Sequence, residues 1–197
     1  MFVSFEGLDG SGKTTQAELL AAHLTGQGRD VVLTREPGGT PLGEAVRELL
    51  LDGPEMTPWA EAALFAAARA ELAERVIRPA LDRGAVVVCD RYLDSSLAYQ
   101  GIARDLGLEA VLELNAIVSA GLLPDRTFLL DIRPEQALER LGAPDRMERE
   151  ADEFKLAVAD AYRRLAVLFP ERIVALDATL LPEELAVLVR ADLHARV

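Results

Sequence analysis

The residues Gly7-Leu8-Asp9-Gly10-Ser11-Gly12-Lys13-Thr14 have the spacing G-x-x-x-x-G-K-[ST], a device for holding the phosphates of a nucleotide. Glycines at 7, 10 and 12 let backbone N–H groups turn inward around phosphate oxygens. The helix that follows points its positive end at them, and Lys13 adds a full charge. Ser11, Thr14 and Thr15 complete the loop with hydroxyls. Lys13 and Lys155 are the only lysines in a chain that otherwise takes its positive charge from arginine, so a lysine in this slot is a chemical choice. A second group of chemistry-bearing residues follows later apolar runs: Thr34-Arg35-Glu36-Pro37-Gly38-Gly39-Thr40, Asp90-Arg91-Tyr92-Leu93-Asp94-Ser95-Ser96 and Asp131. Arg35, Arg91 and Arg133 lie within two residues of three run ends, as cations that do not deprotonate. Arg133, beside Pro134, is read as a loop cap. Asp90 and Asp131 compete to hold magnesium together with the hydroxyl of Thr14, and Asp90, beside Arg91, is placed first.

These residues need elements to position them. Apolar runs at about 2–6, 30–34, 85–89, 126–131 and 172–176 alternate with helical stretches, which predicts five parallel strands in an α/β layer fold with helices on both faces. In such sheets ligands sit beyond the carboxyl ends of the strands, where the polar residues above fall. Thr57-Pro58 caps the helical run Trp59 to Ile77, Pro79 and Gly84 mark its end, and Pro134 and Pro182 open two later helices. The 197 residues, half of them hydrophobic, predict one domain over 1–197. A formal charge of −12 argues against a nucleic-acid partner, so an anionic substrate must be met by clustered arginines. The sequence shows no secretion signal and no membrane span, which predicts a cytoplasmic protein. The single Cys89 reads as a buried small hydrophobe, and His23 and His194 as surface helix residues.

The combination resembles the thymidylate kinase family. The resemblance rests on Phe5-Glu6-Gly7 through Thr15, Arg35-Glu36-Pro37-Gly38-Gly39-Thr40, Leu64-Phe65-Ala66-Ala67-Ala68-Arg69-Ala70, Asp90-Arg91-Tyr92 through Gly101, and Asp145-Arg146-Met147-Glu148. It implies a three-layer P-loop nucleoside-monophosphate-kinase fold, ATP as donor, Mg2+, and transfer of the γ-phosphoryl group to dTMP, giving dTDP and ADP for dTTP synthesis. It further implies that Phe65 stacks on thymine and Arg69 bonds its carbonyl, the two sharing a helix face. Ser96, Tyr99 and Gln100 would contact the base edge and deoxyribose, and Arg35 and Arg91 the acceptor phosphate, with Asp9 near the sugar 3′-hydroxyl. The segment at about 140–150 resembles a short lid over ATP. The phosphate loop has no arginine of its own, and the resemblance to the bacterial branch of the family implies that a lid arginine takes that place, Arg146 first, with Arg149 and Arg140 in reserve. The family also implies a homodimer, for which the alanine-rich run around 60–73 is one candidate face and equally a candidate core.

A phosphate acceptor is already mostly dianionic at neutral pH, since its second pKa is about 6, so no general base is needed. Another small-substrate kinase of the same fold is the nearer rival reading. A GTP switch is the distant one: its Asn/Thr-Lys-x-Asp guanine signature cannot be written, because Lys155 precedes Leu156-Ala157 and the one asparagine, Asn115, precedes Ala116.

Overall fold

Phe2–Glu6 is buried at every position and forms β1, the middle strand of the sheet. The structure is a computed structural model describing residues 1–140, 146, 147 and 150–194. Among these, β1 is joined by β2 (Val31–Arg35), β3 (Val86–Asp90), β4 (Arg126–Asp131) and β5 (Ile173–Asp177), all parallel, in the order β2-β3-β1-β4-β5. Each strand lies within one residue of its predicted run. Strand periodicity then divides the core. Val3 and Phe5 pack with Val86, Val88 and Phe128 under α1 (Lys13–Gly26) and α9 (Pro182–His194), whereas Phe2, Val87, Cys89 and Leu129 face the opposite layer. That layer holds α3 (Pro58–Leu72), α6 (Leu108–Val118) and α8 (Asp152–Leu168). Cys89 is fully buried, as expected.

β1 lies between β3 and β4: from β1 the chain runs out to β2 and back to β3 on one side, then crosses over to β4 and β5 on the other. That topological switch opens a crevice at the carboxyl ends of the strands, directly beneath the loop after β1. α2 (Pro41–Leu51) closes one flank, and its N-cap Thr40 accepts the Gly43 N–H at 2.9 Å.

Thr57 caps α3 as predicted, but Pro79 does not end the run. A π-helical turn spans Ala73–Ile77, with the Arg78 N–H bonded to the Ala73 carbonyl five residues back, and α4 (Arg78–Asp82) continues beyond it. The wide turn places Pro79 in the first turn of α4, where an N–H is dispensable. Gly84, at φ +82°, follows the helix end. A second π-helical segment, Leu97–Ala103, follows α5 (Leu93–Ser96), and α7 (Pro134–Leu138) opens on its proline. Ala62, Ala66 and Ala68 of the alanine-rich run are buried. His23 and His194 lie near helix ends with their rings 6.5 Å apart.

Candidate functional site

The loop between β1 and α1 is built on left-handed glycines. Gly10 (φ +80°) lies so close to α7 that a Cβ would fall 2.3 Å from the Ala137 carbonyl oxygen. Gly12 (φ +93°) has open space and is required for its backbone angle alone. Gly12 is also the N-cap of α1, with no side chain bonding the first-turn N–H groups and no acidic residue in that turn, so these donors stay available to an anion. Lys13 is nearly buried and donates to the Leu8 carbonyl at 2.6 Å, with Asp9 at 3.6 Å. Burial pulls its ammonium below the ordinary lysine range and nearby Arg91 adds to this, while Asp9, Asp90 and Glu6 oppose it. The cleft above the loop has a volume of about 720 Å3 and is lined by residues 9–16, Asp90, Arg35 and Arg140, among others.

Thr14 Oγ1 donates to Asp90 Oδ2 inside this cleft, whereas Asp131 takes both oxygens to Arg163 at 3.1 Å. Thr14 and Asp90 are thus a hydroxyl and a carboxylate converging where phosphates would lie. Oxygen ligands of this kind suit a hard cation, and two of them leave room for phosphate and water oxygens. Arg133 caps its loop, bonding Gln136 at 3.2 Å.

A second cleft, of about 80 Å3, adjoins the first and shares Asp9, Glu36, Arg47 and Arg91 with it. Phe65, Ser96, Tyr99 and Gln100 line its far part. Arg91 stands at the junction with φ +69°, an uncommon conformation for a side-chain-bearing residue and one that strain at functional sites explains. Its guanidinium is held by Asp9, the Gly7 carbonyl at 3.0 Å and Ser95 at 3.1 Å. Burial raises the Asp9 pKa, but Arg91 and Lys13 outweigh it and hold the carboxyl well below the usual carboxylate range. Beneath Arg91, burial reinforced by Asp94 pushes the Glu6 carboxyl up to about 7, against the pull of Arg91 and hydrogen bonds from Ser95 and the Tyr92 N–H. Arg35 is half exposed and paired with Glu44 at 2.9 Å. The Glu36–Pro37 bond is cis.

Two predicted placements differ. Phe65 lines the second cleft, but Arg69 lies behind its wall, almost fully buried, with all five donors used: two on Glu36, and one each on Ser96, Asn115 and the Tyr92 carbonyl. The buried Glu36 carboxylate draws it inward. Arg146 does not reach the phosphate cleft either. Its Nε donates to the Leu50 carbonyl at 2.6 Å and its NH2 group to Glu61 at 2.8 Å, because Glu61 is a buried carboxylate that needs cations. Arg140 does line the phosphate cleft, donating to the Ala178 carbonyl at 3.0 Å, while Arg149 falls outside the described residues, as do Asp145 and Glu148. Sequence reasoning passed over Arg47, which lines both clefts and donates to the Pro37 carbonyl at 3.0 Å, and Glu36, which sits inside a motif already singled out. Arginine after a proline-glycine turn was the available signal for Arg47.

With this geometry in hand, comparisons identify relatives. The family model for thymidylate kinase matches residues 5–188. A protein named thymidylate kinase from Bifidobacterium longum (strain NCC 2705) is 50% identical over 199 residues, covering 98% of this chain and 97% of the relative. One from Synechococcus sp. (strain JA-3-3Ab) is 50% identical over 186 residues, covering 94% and 91%. The crystal structure of thymidylate kinase from Ehrlichia chaffeensis superposes with a TM-score of 0.77 at 37% identity, covering 89% of this chain and 91% of that one.

Proposed function

The chain belongs to the thymidylate kinase family, and on that premise we propose that its two joined clefts align ATP and dTMP for direct phosphoryl transfer. The reaction is the phosphorylation of dTMP to dTDP with ATP as donor. One observation carries the site assignment: the phosphate-loop cleft and the cleft lined by Phe65 and Gln100 meet at Asp9, Glu36, Arg47 and Arg91, which puts two arginines where the clefts join.

In this reading residues 7–15 and Lys13 hold the donor phosphates, and Thr14 and Asp90 are the residues that would hold Mg2+, which neutralises phosphate charge when bound. Arg91, Arg47 and Arg35 hold the acceptor phosphate, and Asp9 orients Arg91 and the sugar 3′-hydroxyl. Phe65 stacks on the thymine, with Ser96, Tyr99 and Gln100 along its edge and sugar. Arg69 acts from behind, fixing Ser96 and Glu36. Arg140 supplies the cation on the donor side. No residue needs to remove a proton, so catalysis rests on aligning two anions and neutralising their repulsion. We further infer one domain over 1–197 and a cytoplasmic homodimer. Support for the dimer comes from Leu42, Leu49 and Trp59, about half exposed on α2 and α3; among the described residues, no helix is long and apolar enough to cross a membrane.

The test is calorimetry with dTMP, thymidine and a non-hydrolysable ATP analogue on the wild type and Arg91→Ala. Arg91→Ala should weaken dTMP strongly and thymidine little. Equal losses for dTMP and thymidine would remove Arg91 from the acceptor phosphate.

A further inference from the structure

Glu61 is the first-turn acidic residue of α3, yet its side chain is 1% exposed and lines neither cleft. Its Oε1 accepts from Gln100 Nε2 at 2.9 Å, and its Oε2 from Arg146 at 2.8 Å and Arg104 at 3.2 Å. Arg104 also bonds Glu150, so one buried carboxylate is linked directly to Gln100, Arg104 and Arg146 and, through Arg104, to Glu150. An ionised carboxylate accepts hydrogen bonds and donates none, which fixes the Gln100 amide nitrogen toward Glu61 and leaves the oxygen as the amide's free group beside the cleft that Gln100 lines. Among the described residues nothing donates to that oxygen.

We propose that Glu61 is a positioning residue for acceptor specificity: by holding Gln100 Nε2, it presents the amide oxygen as an acceptor to the base edge. This rests on the reading that places the base beside Gln100. Thymine carries an N–H donor at N3, which such an oxygen accepts. Cytosine carries a lone pair there, which faces the oxygen unfavourably. A site built to bond an N–H discriminates strongly against a ring that lacks it. Arg104 and Arg146 keep Glu61 ionised, and together with the Gln100 bond they hold its pKa below the usual glutamate value against the effect of burial.

Glu61→Gln is nearly isosteric but can donate as well as accept, so it releases the Gln100 amide to flip. The ratio of kcat/KM for dTMP to that for dCMP should fall about tenfold or more, with KM for ATP unchanged. Glu61→Asp, still acceptor-only, should keep more of the ratio than Glu61→Gln. An unchanged ratio in Glu61→Gln overturns the proposal, as does an equal loss in both variants. Wild-type enzyme inactive on dTMP would instead defeat the underlying reading. Should Glu61→Gln fail to fold, the wild type supplies the readout by NMR. The Gln100 side-chain amide protons should be shifted downfield and protected from exchange with and without dTMP, and exchange at the rate of a solvent-exposed glutamine overturns the assignment.

Discussion

Arg140 and Arg146 lie six residues apart in the chain, yet only Arg140 lines the phosphate-loop cleft. Arg140 lines the phosphate-loop cleft with one backbone bond to Ala178, whereas Arg146 is consumed by Leu50 and the buried Glu61. A charge-assisted hydrogen bond to the transferring phosphoryl contributes roughly 1.5–3 kcal/mol. Arg140→Ala should therefore lower kcat roughly tenfold to hundredfold with dTMP affinity near normal. Arg146→Ala should raise KM for dTMP and lower thermal stability, since a buried carboxylate loses one of its cations. Steady-state kinetics with both substrates varied separate the two. A kcat collapse confined to Arg146→Ala, with normal dTMP affinity, would restore Arg146 to the donor side.

At the scale of elements, the loop after β1 holds its shape through contacts that differ glycine by glycine. Gly12→Ala meets no atom and carries only the backbone penalty of a left-handed residue, about 1–2 kcal/mol. Gly10→Ala adds a clash with the Ala137 carbonyl, which forces the loop and α7 apart. Urea melts should show the larger loss in Gly10→Ala, accompanied by loss of ATP-analogue binding; equal losses would mean that α7 yields freely. Glycine spacing and the β-branched run Val86-Val87-Val88 made the loop and the strands readable from residue types, because local conformation and burial on both faces dictate them. The two π-helical segments were not readable. Apart from Gly101, Ala73–Ile77 and Leu97–Ala103 carry no residue that marks a widened turn, and only the first is followed by a proline, Pro79, that the wide turn accommodates. Arg146 was misplaced for the same reason: its partner Glu61 is 85 residues away, in what reads as an ordinary exposed first turn. Phe65 and Arg69 share a helical spacing, and Phe65 lines the second cleft, but only the buried Glu36 explains where the guanidinium goes.

At the scale of the whole molecule, a chain of net charge −12 concentrates Lys13, Arg35, Arg47, Arg91 and Arg140 around one crevice at the switch point of its sheet. The fold then hides carboxylates beneath those cations, and Glu6 at the end of the central strand links the two. It accepts from the Tyr92 N–H at 2.7 Å, Ser95 at 2.6 Å and Tyr162 at 3.0 Å, with Arg91 and Asp94 as its charged neighbours. Its pKa rises from an ordinary 4.5 to about 7, burial being the largest cause. The folded protein therefore retains a proton there that the unfolded chain has released. The stabilisation from that proton is full below about pH 4.5 and is lost as pH rises through 7, a change on the order of 3 kcal/mol. Asp9 behaves oppositely: its depressed pKa contributes stability above the ordinary aspartate range and loses it on acidification, outside this window. Glu6→Gln stays neutral at every pH. Its amide oxygen can accept the Tyr92 N–H while its nitrogen donates to the Ser95 or Tyr162 hydroxyl, so the fold is kept. The Tm of the wild type minus that of Glu6→Gln should thus decrease steadily from pH 5 to pH 8 in calorimetric scans. A flat difference would mean that Glu6 is ionised across the whole range and that Arg91, rather than burial, governs the charge beneath the junction.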